Sequence, residues 1–122
     1  MNILITSVGR RVELVQEFKE KLNENLPGSK VFTTDLKPHL SAACQVSDRS
    51  FEAPRVTDPA YPKFLLNLCL LNNIGMVVPT IDTELLVLSK IQKNLKKHKI
   101  SVIISTGNNG KTDSLVVSSL LT

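Results

Sequence analysis

The chain has no tryptophan, one tyrosine and four phenylalanines among its 122 residues. Aliphatic side chains must therefore build most of any core, and no aromatic platform is interleaved with the basic residues to stack nucleobases. Glycine, at five residues, is below average usage and proline, at six, is ordinary, and no low-complexity segment is present. The two cysteines, Cys44 and Cys69, have neither CxxC spacing nor neighbouring histidines. They read as buried free thiols of a reducing compartment rather than as a disulfide or a zinc site. His39 and His98 stand in unrelated settings with no metal-ligand spacing, and no Ser/His/Asp or Cys/His arrangement can be built. The longest apolar run, Phe64 to Leu71, is far short of the ~20 residues that span a bilayer. Ile3 to Ile5 is too short for the apolar region of a signal peptide. A cytoplasmic protein that engages neither membrane nor nucleic acid is expected.

What is present points to one domain. Apolar residues make up 42% of the chain, and the formal net charge is a modest +4. That balance permits small anionic ligands without demanding a polyanion. Asn2 to Thr6 reads as a short buried strand. The period then changes: Leu14, Val15, Phe18 and Leu22 share one face of a helix over Arg11–Asn25, and charged residues cover the other. Leu26-Pro27-Gly28 ends it. Lys30 to Thr34 is a second strand closing at Asp35. Leu36 to Val46 reads as a loop with a short helical turn, and Ser50 to Ala53 as a third strand.

A helix over Ala60–Asn73 follows Asp58-Pro59 and is apolar nearly all round, so it should be covered on more than one side. Asn73 to Gly75 reads as a turn before a fourth strand, Met76 to Val78. The next helix should run to about Lys97, capped by Asp82 or Thr83, before a fifth strand, Ile100 to Ile104. Strands alternating with helices imply an α/β fold. The expectation is a single Rossmann-like three-layer sandwich with a mainly parallel five-stranded sheet. The domain should occupy residues 1–105, followed by a flexible or helical tail over 106–122.

Ligands of such sheets sit beyond the C-terminal strand ends. Ser7-Val8-Gly9-Arg10-Arg11 lies there after the first strand. Gly9 permits a tight turn, free N–H groups at a helix start favour an anion, and Arg10 or Arg11 could clamp a carboxylate or phosphate; pairing of both arginines with Glu13 or Glu17 is the alternative. The GxGxxG fingerprint of NAD sites is absent. Asp35 could bind a ligand hydroxyl or hold its own loop. In Pro79-Thr80-Ile81-Asp82-Thr83-Glu84, the Thr80, Asp82 and Glu84 side chains offer acceptors to the crevice. Gly107-Asn108-Asn109-Gly110-Lys111-Thr112 resembles part of a phosphate-binding loop and the Gly-x-x-Gly-Lys-Thr loop of Mur ligases. Gly110, Lys111 and Thr112 would then hold a nucleotide phosphate, although Ser105 stands where the full motif has its first glycine.

Three segments in order carry a wider resemblance. Met1 to Val15, with Ser7-Val8-Gly9-Arg10-Arg11, resembles the opening of ATP-grasp ligases related to the carbamoyl-phosphate synthase large subunit. Thr33-Thr34-Asp35-Leu36-Lys37-Pro38 resembles their second strand and loop. Val78-Pro79-Thr80-Ile81-Asp82-Thr83-Glu84-Leu85 resembles their fourth-strand crevice. The resemblance implies a pre-ATP-grasp domain, the Rossmann-like N-terminal part of a longer ligase. In that family two further lobes bind ATP and Mg²⁺ and activate a carboxylate as an acyl phosphate, which an amine attacks. By the motif match Gly9, Arg10, Arg11, Thr80, Asp82 and Glu84 would line the side facing the acceptor substrate.

The ATP-binding lysines and metal-binding acids of those lobes are not in the sequence. No turnover and no tight binding of ATP or Mg²⁺ are expected from this chain alone. The expected partners are the ATP-grasp lobes or a subunit carrying them, a small anionic substrate, and a second copy in a homodimer. The alternatives are a P-loop-like nucleotide-binding module built on Gly107–Thr112 and a non-enzymatic Rossmann-like interaction domain.

Overall fold

A computed structural model describes residues 1–103. Five strands form one sheet: β1 (Asn2–Thr6), β2 (Val31–Asp35), β3 (Arg49–Glu52), β4 (Ile74–Pro79) and β5 (Ser101–Val102). Their order is β3-β2-β1-β4-β5, and every pairing is parallel. Helices α1 (Val12–Asn25), α2 (Ala42–Val46), α3 (Tyr61–Leu71) and α4 (Asp82–Lys97) connect the strands, with a 3₁₀ turn at Pro38–Leu40 before α2. The architecture is the Rossmann-like α/β sandwich that the alternating pattern implies.

Side-chain alternation along the strands divides the core between the two faces of the sheet. Ile3 and Ile5 point to the face covered by α1 and α2, where they meet Val15, Phe18 and Cys44. Leu4 points the other way, into a cluster with Leu65, Cys69, Val77 and Leu88 from α3, β4 and α4. Burial on both faces explains why the central strand Ile3-Leu4-Ile5 is uniformly apolar.

Some boundaries differ from the expectation. β4 begins at Ile74 rather than Met76, because the pairing with β1 skips a residue there: Asn2 faces Ile74 but Ile3 faces Met76. The extra residue is Gly75, so a bulge occupies what reads locally as a turn. Side-chain capping of α4 by Asp82 or Thr83 does not occur. Its N-cap is Ile81, which provides no side-chain hydrogen bond, and Asp82 begins the first turn. α3 is also less fully covered than its composition suggests. Tyr61, Leu65, Leu68 and Cys69 are buried, whereas Leu71 is 83% exposed. Both cysteines are free and buried. Among the described residues no helix is long and apolar enough to cross a membrane.

Candidate functional site

The turn after β1 is held from several sides. Ser7 and Gly9 both take left-handed backbone conformations, at φ 51° and 52°. Glycine suits such a conformation, whereas serine adopts it at a cost. The Gly9 N–H donates to Asp35 Oδ2 at 2.8 Å. The Gly9 carbonyl accepts from the Ser41 hydroxyl at 2.6 Å and from the Ala43 N–H at 3.2 Å. Ser41 in turn caps α2 by accepting from the Cys44 N–H. Asp35 at the end of β2 and Ser41 and Ala43 after it thus hold both the N–H and the carbonyl of Gly9.

That clamp uses up most of the donors proposed for an anion. The Val8 N–H goes to Thr34 O, Arg11 N–H to Val8 O and Val12 N–H to Arg10 O. The Asp35 carboxylate occupies the place of an anion at Gly9, and its other oxygen accepts a longer bond from the Lys37 N–H at 3.3 Å. Arg10 and Arg11 are both exposed at the start of α1.

Thr80 and Glu84 also work within the protein. The sheet order reverses between β1 and β4, the switch point where α/β sheets open a ligand crevice. Thr80 crosses it: its hydroxyl lies 2.6 Å from Ser7 O and 2.9 Å from Thr6 O and donates its one proton to that pair. Glu84, fully buried in the first turn of α4, accepts from the Tyr61 hydroxyl at 2.7 Å and from the Thr80 N–H at 3.4 Å. The buried Thr6 hydroxyl lies beside the phenol without completing a hydrogen bond. Burial first, then the neighbouring Glu84 carboxyl, pushes the Tyr61 phenol well above its ordinary pKa. Tyr61 is therefore a neutral donor at physiological pH. Asp82 remains exposed on the first turn of α4.

Beside this stapled switch point lies a pocket of about 220 Å³. Ser7 and Asp35 reach it from the ends of β1 and β2, with Leu36 next to them. The segment after β3, Ala53 to Thr57, forms one wall; Tyr61, Ile81 and Thr83 complete the other. Four of the five strands therefore deliver residues to one opening. Gly9, Arg10, Arg11, Thr80, Asp82 and Glu84 are not in the lining. Gly110, Lys111 and Thr112 lie outside the described residues, as does the tail over 106–122.

Sequence reasoning missed Tyr61 and the segment Ala53–Thr57. The signal for Tyr61 was available: the chain's one tyrosine shares a helical face with Leu65 and Leu68, and a buried tyrosine needs a partner for its hydroxyl. Nothing local marks Arg55, which becomes part of the pocket only when β3 pairs beside β2.

The parallel sheet, its switch point and the strand-end pocket define a Rossmann-like α/β domain. More specifically, the chain belongs to the PylC-like, N-terminal domain family, whose model matches residues 3–103. This is a pre-ATP-grasp kind of domain, from the ATP-grasp ligase family. Among solved structures, a dTDP-glucose 4,6-dehydratase from Bacillus anthracis str. Ames in complex with NAD superposes with a TM-score of 0.54 at 13% sequence identity. The alignment covers 98% of this chain and 48% of the dehydratase, so the chain spans about half that protein's length. Identity that low speaks to the fold alone. No curated protein matches the sequence.

Proposed function

We propose that this chain is the N-terminal, substrate-side domain of an ATP-grasp carbon–nitrogen ligase of the carbamoyl-phosphate synthase large-subunit kind. The observation that carries the reading is the match of residues 3–103 to a PylC-like N-terminal domain, in a chain whose strand-end loops converge on one pocket. The role follows from placement. The rigid sheet fixes Ser7, Asp35 and the start of α3 and α4 as one wall, and ATP-grasp lobes on a further segment or subunit supply the opposite wall. Arg10 and Arg11, exposed in the turn after β1, add positive charge that draws a small anion toward the cleft.

The described residues do not fit a Mg-ATP site. No three His, Cys, Asp or Glu side chains among them are grouped to hold a metal ion, and the turn N–H groups that would receive phosphate are bonded within the protein. ATP and Mg²⁺ belong to the lobes in this reading, and no catalytic step is assigned to this chain.

Two measurements test it. DNA beyond codon 122 should encode ATP-grasp lobes in some reading frame, or a neighbouring gene should. The 122-residue chain should show no ATP hydrolysis. Tight Mg-ATP binding in calorimetry, abolished by Lys111→Ala, would instead establish the P-loop-like module.

A further inference from the structure

Neither Arg10 nor Arg11 lines the strand-end pocket. Arg55 does. Its backbone carbonyl is held by the Asp58 N–H at 2.9 Å, which fixes the loop. Its guanidinium makes no hydrogen bond or ion pair among the described residues. Asp35 lines the same pocket with a carboxylate that accepts one backbone N–H at each oxygen. Each oxygen keeps acceptor capacity beyond that bond. One pocket is thus lined by a residue with a fixed acceptor, Asp35, and by a residue whose cationic side chain has no partner among the described residues, Arg55. Leu36, Ala53, Pro54 and Val56 line the same pocket with apolar surface. At about 220 Å³ the pocket falls below the ~300–1,000 Å³ typical of drug-sized ligands, which disfavours a whole nucleotide.

We propose that this pocket binds a small organic acid carrying a hydroxyl or amine: its carboxylate on the Arg55 guanidinium, its O–H or N–H donor on Asp35. Arg55 is then a specificity-determining residue. The proposal rests on the strand-end crevice being the substrate side, but not on which ligase the domain serves. A guanidinium matches a carboxylate with two parallel hydrogen bonds. Asp35, already fixed by Gly9 and Lys37, accepts the ligand's donor without reorganising. Its negative charge also repels an acid that lacks one.

The test titrates the isotope-labelled 122-residue chain with malate, succinate, alanine and inorganic phosphate, reading backbone amide shifts. Malate, or alanine with an amine in place of the hydroxyl, should saturate shifts at Leu36 and Val56–Thr57. Succinate, which lacks the donor, should bind at least about fivefold more weakly than malate. Arg55→Gln should weaken malate about tenfold or more, as expected for loss of a charge-assisted pair. Lys97→Gln, an equal charge change in the exposed last turn of α4, should change it less than about twofold. Arg55 is exposed, so its variant should keep the parent's amide dispersion. Shifts centred on Gly9–Arg11 would overturn the assignment, and so would saturation by phosphate but by no organic acid. Equal affinity for malate and succinate removes Asp35 from the site, and no saturable shift with any probe removes the site. ATP-grasp lobes encoded downstream would leave the parent-ligase reading standing in each of those cases.

Discussion

Glu84 is a fully buried carboxyl group with no basic side chain bonded to it among the described residues. Its partners are the Tyr61 hydroxyl and the Thr80 N–H. Because the Thr80 contact is long, the phenol is the principal donor. Tyr61→Phe leaves the ring packing and removes only that donor. The expected loss is about 1–3 kcal/mol in urea unfolding, the cost of a buried acceptor left unsatisfied. Losing both Tyr61→Phe and Glu84→Leu together should cost less than the two single losses added, since the second change removes the orphan. Cys69 gives a pH signature on the same side of the sheet. Burial pushes its thiol up to about 12 from an ordinary value of 9.0, and Tyr61 is shifted in the same direction. Below pH 9 both states keep these protons. As pH rises, the unfolded thiol and then the unfolded phenol ionise while the folded groups do not, so the unfolded state binds fewer protons and stability falls. Urea midpoints should decline between about pH 9 and 12, at up to ~1.4 kcal/mol per unit for each group. Cys69→Ala should flatten the first part of that decline.

Among the elements, α3 and α4 show where local sequence misleads. The leucines of α3 suggest an all-round buried helix, yet a single stripe meets the sheet and Leu71 stands clear of it. Composition cannot separate a two-sided helix from a one-sided helix with apolar residues left exposed. Only packing decides, and exposed leucines are ordinary on folded surfaces. Leu65→Ala should therefore cost about 2–5 kcal/mol, while Leu71→Lys should stay within about 0.5 kcal/mol, both read from urea midpoints. Were Leu71→Lys to cost several kcal/mol, a second copy covering that face in solution would be the better account. On α4 Asp82 and Thr83 look like caps, yet Ile81 occupies the N-cap and Glu84 turns inward. Its place on the same face as Leu88 and Leu95 was visible in the helical period. Its tolerance of burial was not, because that depends on Tyr61, 23 residues away in sequence. The strands were more legible, since short apolar runs ending in Asp35 or Pro79-Thr80 mark their own limits. Gly75 is the exception: the bulge depends on pairing with Asn2–Ile3 and has no local signature.

At the scale of the molecule, alternating strands and helices made the parallel sheet legible, and the strand ends located the crevice. Which strand-end residues face a ligand was not legible. Gly9, Thr80 and Glu84 carry polar groups that the fold uses to close its own loops, whereas Asp35 both holds Gly9 and lines the pocket. The pocket instead forms from Ala53–Thr57 and Tyr61, brought beside Asp35 by the β2–β3 pairing. The central sheet also divides the core into two clusters. Phe18 belongs to the α1–α2 side and Leu65 to the α3–α4 side, so neither shares a partner cluster with the other. Phe18→Leu and Leu65→Ala should each lower stability, and the double variant should equal their sum within about 0.5 kcal/mol. A single unfolding transition should persist, because the strands that carry one cluster on one face carry the other on the reverse. Equilibrium unfolding followed by both circular dichroism and tyrosine fluorescence checks each point. Non-coincident curves, or a coupling well above that limit, would mean that the two sides of the sheet unfold as separate units. The pocket wall formed by Tyr61, Ile81 and Thr83 would then belong to the α3–α4 side and could loosen while the Gly9 clamp stayed folded.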